Sequence, residues 1–189
     1  MGSGSDSYYI SEVKNGKTSE FRHLVEKYQD MVFTIALRIS RNREDAEEIA
    51  QDVFLKCFRS LNSFREDSRF STWLYRIAYN ESVSRARKKR KLFIELAEEH
   101  TADLNEEAII WTFEELESAI QNKHIEKALS ELSEIEQVIV TLFYYEGNSI
   151  EEIAEVTGQS VSNVKVRLHR LRKKLQVSLG QLREELVRS

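Results

Sequence analysis

The chain has 189 residues, a net charge of −4, no Pro and six Gly, two of which fall in Met1-Gly-Ser-Gly-Ser5, read as a cloning remnant. No Gly or Pro lies between Gly16 and Gly147. That excludes hairpin-rich β folds and Rossmann domains, which need turn residues at short intervals, and leaves an all-α chain. A hydrophobic fraction of 41% is enough for a core, and 32% charged residues point to a soluble, cytoplasmic protein. The apolar runs are too short for a membrane-spanning helix, and no segment has the apolar centre of a signal peptide, so no membrane insertion is expected. The one cysteine, Cys57, forbids an intrachain disulfide. The four His are scattered, so no metal site is expected. No Gly-rich phosphate loop or nucleophile–base pair stands out, so neither a cofactor nor catalytic residues are expected, and the chain reads as a non-enzyme.

Residues 1–17 read as a tag and N-terminal extension. Apolar residues from Phe21 to Ile39 keep a helical period and predict a helix from about Ser19 to Arg41. Asp45 is expected to cap the next helix with Glu48 as its reciprocal partner, the apolar face being Ile49, Ala50, Val53, Phe54, Cys57 and Leu61. Cys57 there is most simply a small core residue. After a polar break, Ser71 is expected to cap a helix through Trp73, Leu74, Ile77 and Ala78 to a basic end at Lys91, with Phe70 and Tyr75 as a hydrophobic staple. These helices form a first small domain, residues 18–91. Residues 92–122 read as an acidic linker. In a second domain, residues 123–178, Ser133 with Glu136 and Ser149 with Glu152 make capping boxes, and Gly158 sits where a helix end needs φ > 0. Ser160 caps a final helix with Val161, Val164, Leu168, Leu171 and Leu175 inside, and residues 179–189 are a tail.

The mean charge hides a segregation. Residues 1–91 hold 18 basic and 13 acidic side chains (+5), residues 92–122 nine acidic and no Lys or Arg (−9), and residues 123–189 ten of each (0). Arg85–Lys91 packs six cations into seven positions, and Lys165–Lys174 packs six into ten. A charge run is usually a solvated helix face. Here each run ends an amphipathic helix.

Two motifs carry chemistry. Ala154, Gly158 and Val164 match the spacing of a helix-turn-helix, in which a small residue, a turn and a branched apolar residue pack the corner. The outward face of its second helix holds Ser162, Asn163, Lys165, Val166, His169 and Arg170, with Arg167 beside them, while Arg172, Lys173 and Lys174 are expected at phosphates. The plainer reading is a helical hairpin with a basic face. In the second motif, Phe64, Phe70, Trp73, Tyr75 and Tyr79 cluster before the polycationic helix end. Such aromatics can hold unstacked bases while cations follow the backbone. They can equally be core, and Asn80 can read a base edge or sit idle.

The two motifs, in this order around an acidic linker, resemble an extracytoplasmic function (ECF) sigma factor of the sigma-70 family of bacterial RNA polymerase. The resemblance rests on Asp45-Ala-Glu-Glu-Ile-Ala-Gln-Asp-Val-Phe-Leu-Lys56, on Ser63-Phe-Arg-x-x-Ser-x-Phe-x-Thr-Trp-Leu-Tyr-Arg-Ile-Ala-x-Asn80, and on Asn148–Val156 with Val164–Arg170. It implies two helical domains, region 2 and region 4, joined by a linker, and a promoter-recognition subunit. By resemblance, Glu48, Gln51, Asp52 and Leu55 would meet the β′ clamp helices of core polymerase. Phe64, Arg65, Ser68, Phe70, Trp73, Arg76, Asn80, Arg85, Arg87 and Lys88 would bind the −10 element, with Asn80 reading a flipped base. Ser162, Asn163, Lys165, Arg167, His169, Arg170 and Lys173 would bind the −35 element. The β flap and an anti-sigma factor are the further implied partners. Ser133, Ser162 and Val166 stand where the family usually has Pro, Gly and a small polar residue. A helix-turn-helix regulator that binds duplex DNA without polymerase is the alternative.

Overall fold

The computed structural model describes residues 5–97, 132–171 and 173. The remainder of the linker, the start of the second domain, Arg172, Lys174, Leu175 and the tail lie outside the described residues. Among the described residues there is no strand, and no helix is long and apolar enough to cross a membrane.

Helix α1 (Asp6–Lys14) occupies the stretch that the sequence reading set apart as an extension. Ser5 caps it, and Ile10 and Val13 are buried. Asp6 accepts hydrogen bonds from Lys27 Nζ and Tyr28 Oη, both at 2.6 Å, tying α1 to the next helix. That helix, α2 (Phe21–Ser40), follows a short 3-10 turn (Thr18–Glu20) and buries Leu24, Tyr28, Val32, Ile35, Ala36 and Ile39. It ends where Arg41 takes the left-handed conformation (φ 53°) and donates its N–H to Leu37 O.

Helix α3 (Arg43–Ser60) starts earlier than expected. Asn42 is its cap, accepting from Asp45 N at 2.8 Å, so Asp45 sits inside the first turn rather than at the cap. An extended Asn (φ −140°, ψ 130°) offers the same side-chain acceptor three residues upstream. Ala46, Ile49, Val53 and Cys57 are buried as expected. Burial pushes the Cys57 thiol up to about 12 and leaves it inert.

Helix α4 (Phe70–Ala97) is the longest element, with 28 residues. It begins at Phe70, because Arg69 O already accepts the Trp73 N–H at 3.1 Å, so Ser71 is not its cap. It continues six residues past Lys91 into the segment assigned to the linker, through Leu-Phe-Ile-Glu-Leu-Ala, residues that hold a helix well.

In the second half, α5 (Glu134–Val140) carries the expected Ser133–Glu136 capping box. A π turn (Thr141–Tyr145) and the Gly147 bend (φ 65°) lead to α6 (Ile150–Thr157), which has the Ser149–Glu152 capping box. Gly158 ends α6 at φ 65°. Ser160 Oγ then accepts from Asn163 N at 3.2 Å and caps α7, over 161–171.

Helices α2, α3 and α4 pack on one another, α6 lies on α4, and α5 lies on α2. One buried cluster therefore runs from Ile49 and Leu74 through Val138, Ile139 and Leu142 to Ile153, Val164 and Leu168. Leu74 is fully buried in it. Leu74→Ala is expected to cost about 3 kcal/mol, measured by urea unfolding, because it leaves a cavity as well as losing transfer energy.

Candidate nucleic-acid interface

The loop from Phe64 to Arg69 joins a 3-10 turn (Leu61–Ser63) to α4 and bends at Glu66 (φ 62°). Phe64 and Phe70 are each 5% exposed, with ring centroids 5.7 Å apart, and both rings lie against Trp73, at 5.1 and 5.9 Å. Phe64 and Phe70, expected to touch DNA, thus form the floor of this region and offer no ring face to a base. Tyr75 is also buried. Trp73 is only half-buried, so part of it remains accessible. Arg76 and Asn80 follow it at i+3 and i+7, so the three share one face of α4, and Arg76 and Asn80 are exposed. At the loop, Ser68 is half-buried, and Arg65 is exposed beside Asp67, at 3.3 Å. Residue types read the aromatic cluster correctly, but which rings turn inward depends on Tyr28, whose ring meets Phe70 at 5.6 Å.

Arg85 belongs to a different surface from the one expected. It pairs with Glu48 and, at 2.8 Å, with Asp52, both on α3. Glu81 and Lys89, at i−4 and i+4 from Arg85, pair with Lys56 and Asp45 on the same helix. This stripe of α4 therefore faces α3, and Arg85 is engaged by α3 carboxylates in the free chain. Glu48, Gln51, Asp52 and Leu55 are exposed at i, i+3, i+4 and i+7 and form one face of α3. Phe58 adjoins Leu55 there at 39% exposure. Arg87 and Lys88 are exposed, and Arg87 lines a groove with Arg41, Tyr79, Arg90 and Glu134.

In the second half, Ala154 and Val164 are buried and Gly158 makes the corner, as the helix-turn-helix spacing requires. Ser162, Asn163, Lys165, Val166, His169, Arg170 and Lys173 are exposed on α7. Arg167 departs from them: it is half-buried, and its Nε donates to Gln159 Oε1 at 3.2 Å.

The two halves meet over the aromatic-basic face. Tyr75 Oη donates to Glu146 at 2.6 Å, and Thr72 Oγ1 and Ser68 Oγ donate to Glu152 and Glu155 at 3.4 Å. Arg69 lies 3.3 Å from Glu152, and Arg76 lies 4.0 Å from Glu155. Carboxylates of α6 thus occupy positions at which phosphate oxygens would suit the same donors. Burial, then the bond to Glu146, pushes the Tyr75 hydroxyl well above its ordinary range. Burial works to raise the Glu152 pKa, but the Ser149 N–H and Arg69 outweigh it, and the net shift is downward. A lowered carboxyl pKa means that this contribution is full at neutral pH and fades as pH falls through the folded-state value.

Family models match two segments: sigma-70 region 2 over residues 24–92 and sigma-70 region 4 over residues 123–175. The chain is 33% identical to the ECF RNA polymerase sigma factor SigW of Bacillus subtilis, over 92% of this chain and 96% of that one. It is 31% identical to the RNA polymerase sigma-H factor of Pseudomonas aeruginosa, over 95% and 96%. The sigma factor RpoE of Bartonella quintana, solved in complex with the anti-sigma factor NepR, shares the fold at a TM-score of 0.68 and 23% identity, over 85% of this chain and 97% of that one.

A double-mutant cycle of Tyr75→Phe and Glu146→Ala, read by urea unfolding, should give a coupling of about 1.5–3 kcal/mol, the range of a hydrogen bond to a charged acceptor. A coupling near zero would mean that this bond does not hold the halves together.

Proposed function

Because the chain belongs to the ECF branch of the sigma-70 family of RNA polymerase sigma factors, we propose a division of labour along it. Region 2, residues 18–91, binds core polymerase through the α3 face of Glu48, Gln51, Asp52 and Leu55, with Phe58 beside them, against the β′ clamp helices. The same region holds the −10 element at Trp73, Arg76 and Asn80, with Arg65, Ser68, Arg87 and Lys88 along the strand. Phe64 and Phe70 support Trp73 from below. Region 4, residues 123–178, reads the −35 element with Ser162, Asn163, Lys165, His169, Arg170 and Lys173 and meets the β flap. The acidic segment, residues 92–122, threads between them. The protein acts by binding alone, in the cytoplasm, with no catalytic step of its own.

The observation that carries the −10 assignment is the shared face of Trp73, Arg76 and Asn80 above an aromatic floor, beside a cationic helix end. Flipping a base costs a few kcal/mol, and stacking on one aromatic side chain returns about 1–3 kcal/mol. Stacking therefore roughly offsets unstacking, and hydrogen bonds from Asn80 are left to discriminate between bases. A regulator confined to duplex DNA has no use for that arrangement. Promoter binding also requires Glu155 of α6 to leave Ser68 and Arg76, so the halves separate on the way to the complex. RpoE of Bartonella quintana was solved in complex with the anti-sigma factor NepR. By analogy with the RpoE complex, an anti-sigma protein that favours the closed arrangement is the regulator proposed here.

In vitro transcription with core polymerase and a promoter library tests the whole reading, and no start sites above the core-only background would sink it. Trp73→Ala is expected to lower open-complex formation about tenfold, the loss of one base–aromatic stack, while closed-complex affinity stays near wild type. Equal losses in permanganate footprinting and in closed-complex binding would reject a melting role. Lys165→Ala is expected to weaken binding to −35 duplex by about 1–3 kcal/mol. The same loss on a scrambled −35 box would show that this face makes no specific readout.

A further inference from the structure

Helix α1 lies outside both family segments, which begin at residues 24 and 123. It is nonetheless built into the first half. Ile10 and Val13 are buried, Asp6 holds Lys27 and Tyr28, and the Tyr9 ring stacks on His23 at 4.5 Å. Its last residue, Lys14, reaches fifty positions along the chain. Lys14 Nζ donates to Phe64 O at 2.7 Å and stands 5.8 Å from the centroid of the Phe64 ring.

Phe64 is the residue on which the loop depends. Its N–H donates to Leu61 O at 3.1 Å and closes the 3-10 turn, and its ring lies under Trp73. At the other end, the loop is fixed by Arg69 O in the first turn of α4. Between the ends, Arg65, Glu66 and Asp67 are exposed, and Glu66 has a positive φ. The upstream anchor is therefore a turn bond and a charge-assisted bond from Lys14, the stronger kind.

We propose that Lys14 is a positioning residue for −10 readout: from α1, it fixes the backbone at Phe64 and so sets both the loop path and the height of the floor under Trp73. This rests on assigning the loop and α4 to the −10 element. Lys14 touches no base in the proposal. It acts by narrowing the geometries in which a flipped base is accepted, so its loss should blur base choice more than it weakens overall binding.

The test compares holoenzymes carrying wild type, Lys14→Met, Lys14→Arg, Asp6→Asn and Asn80→Ala on promoters differing at each −10 position, read as the ratio of open complexes on preferred and disfavoured bases. Lys14→Met keeps the aliphatic stem and removes the donor, and it should lower that ratio about fivefold, in line with one lost charge-assisted bond at a partly exposed site. Lys14→Arg should restore the ratio to within about twofold, since it keeps the donor. Affinity for −35 duplex and helical content should not change. Asp6→Asn loosens α1 without touching Lys14. If it lowers the ratio as much as Lys14→Met does, the effect belongs to α1 as a whole and the proposal is overturned. A uniform loss of activity on every promoter from Lys14→Met, with the ratio intact, overturns it as well. If Asn80→Ala leaves the ratio unchanged, the −10 assignment itself fails, whatever Lys14 does. If Asn80→Ala lowers it and Lys14→Met does not, only the role of Lys14 falls.

Discussion

Everything in this molecule leans on α4, a 28-residue helix that satisfies three neighbours at once. At 1.5 Å per residue it is about 42 Å long, enough to serve several surfaces in succession and in parallel. Leu74, Ala78 and Ser82, spaced by four, form its buried ridge. Glu81, Arg85 and Lys89 form a second stripe, neutralised by Lys56, Asp52, Glu48 and Asp45 of α3. Trp73, Arg76 and Asn80 form a third. Rotating the helix by one residue, about 100°, would exchange these roles, so burial of the first stripe fixes the direction of the other two.

Electrostatics then decides what covers the aromatic-basic face in the free chain. Each surface ion pair is worth little, about 0–1 kcal/mol, and a pair at 4.0 Å such as Arg76–Glu155 adds little on its own. The contact between the halves is a set of such pairs around one buried hydroxyl, Tyr75, bonded to Glu146, and on one continuous apolar cluster. That combination is specific in geometry, because the polar pairs fix how the apolar faces meet. The outward face of α7 takes no part in that contact, and Lys165, His169 and Arg170 remain exposed.

Features with short sequence reach were legible in advance. The capping boxes at Ser133 and Ser149 each close within three residues, and Gly158 takes the left-handed corner that its position in the motif demands. The burial of Cys57, Val164 and Leu168 followed from helical period. The boundary errors were also local. Asn42 displaced Asp45 as a cap because two adequate acceptors lay three residues apart, and α4 ran past Lys91 because nothing there breaks a helix. The side-chain partners that the sequence did not show have distant causes. Arg85 meets partners 33 and 37 residues away, and the bond from Lys14 to Phe64 spans 50. Phe64 and Phe70 turn inward because Tyr28 and Trp73 close over them.

Periodicity, caps and charge segregation in the sequence by themselves determined the helical class, the helix-turn-helix, the order of the two motifs and the family that they resemble, because each is set by neighbours within a turn or two of helix. Only the tertiary structure decided which aromatics are buried, which cations pair with carboxylates, that α1 braces the first half, and that α6 carboxylates lie against Arg69 and Arg76. Those outcomes depend on which helix faces meet, and that is settled by the joint burial of apolar side chains far apart in the chain.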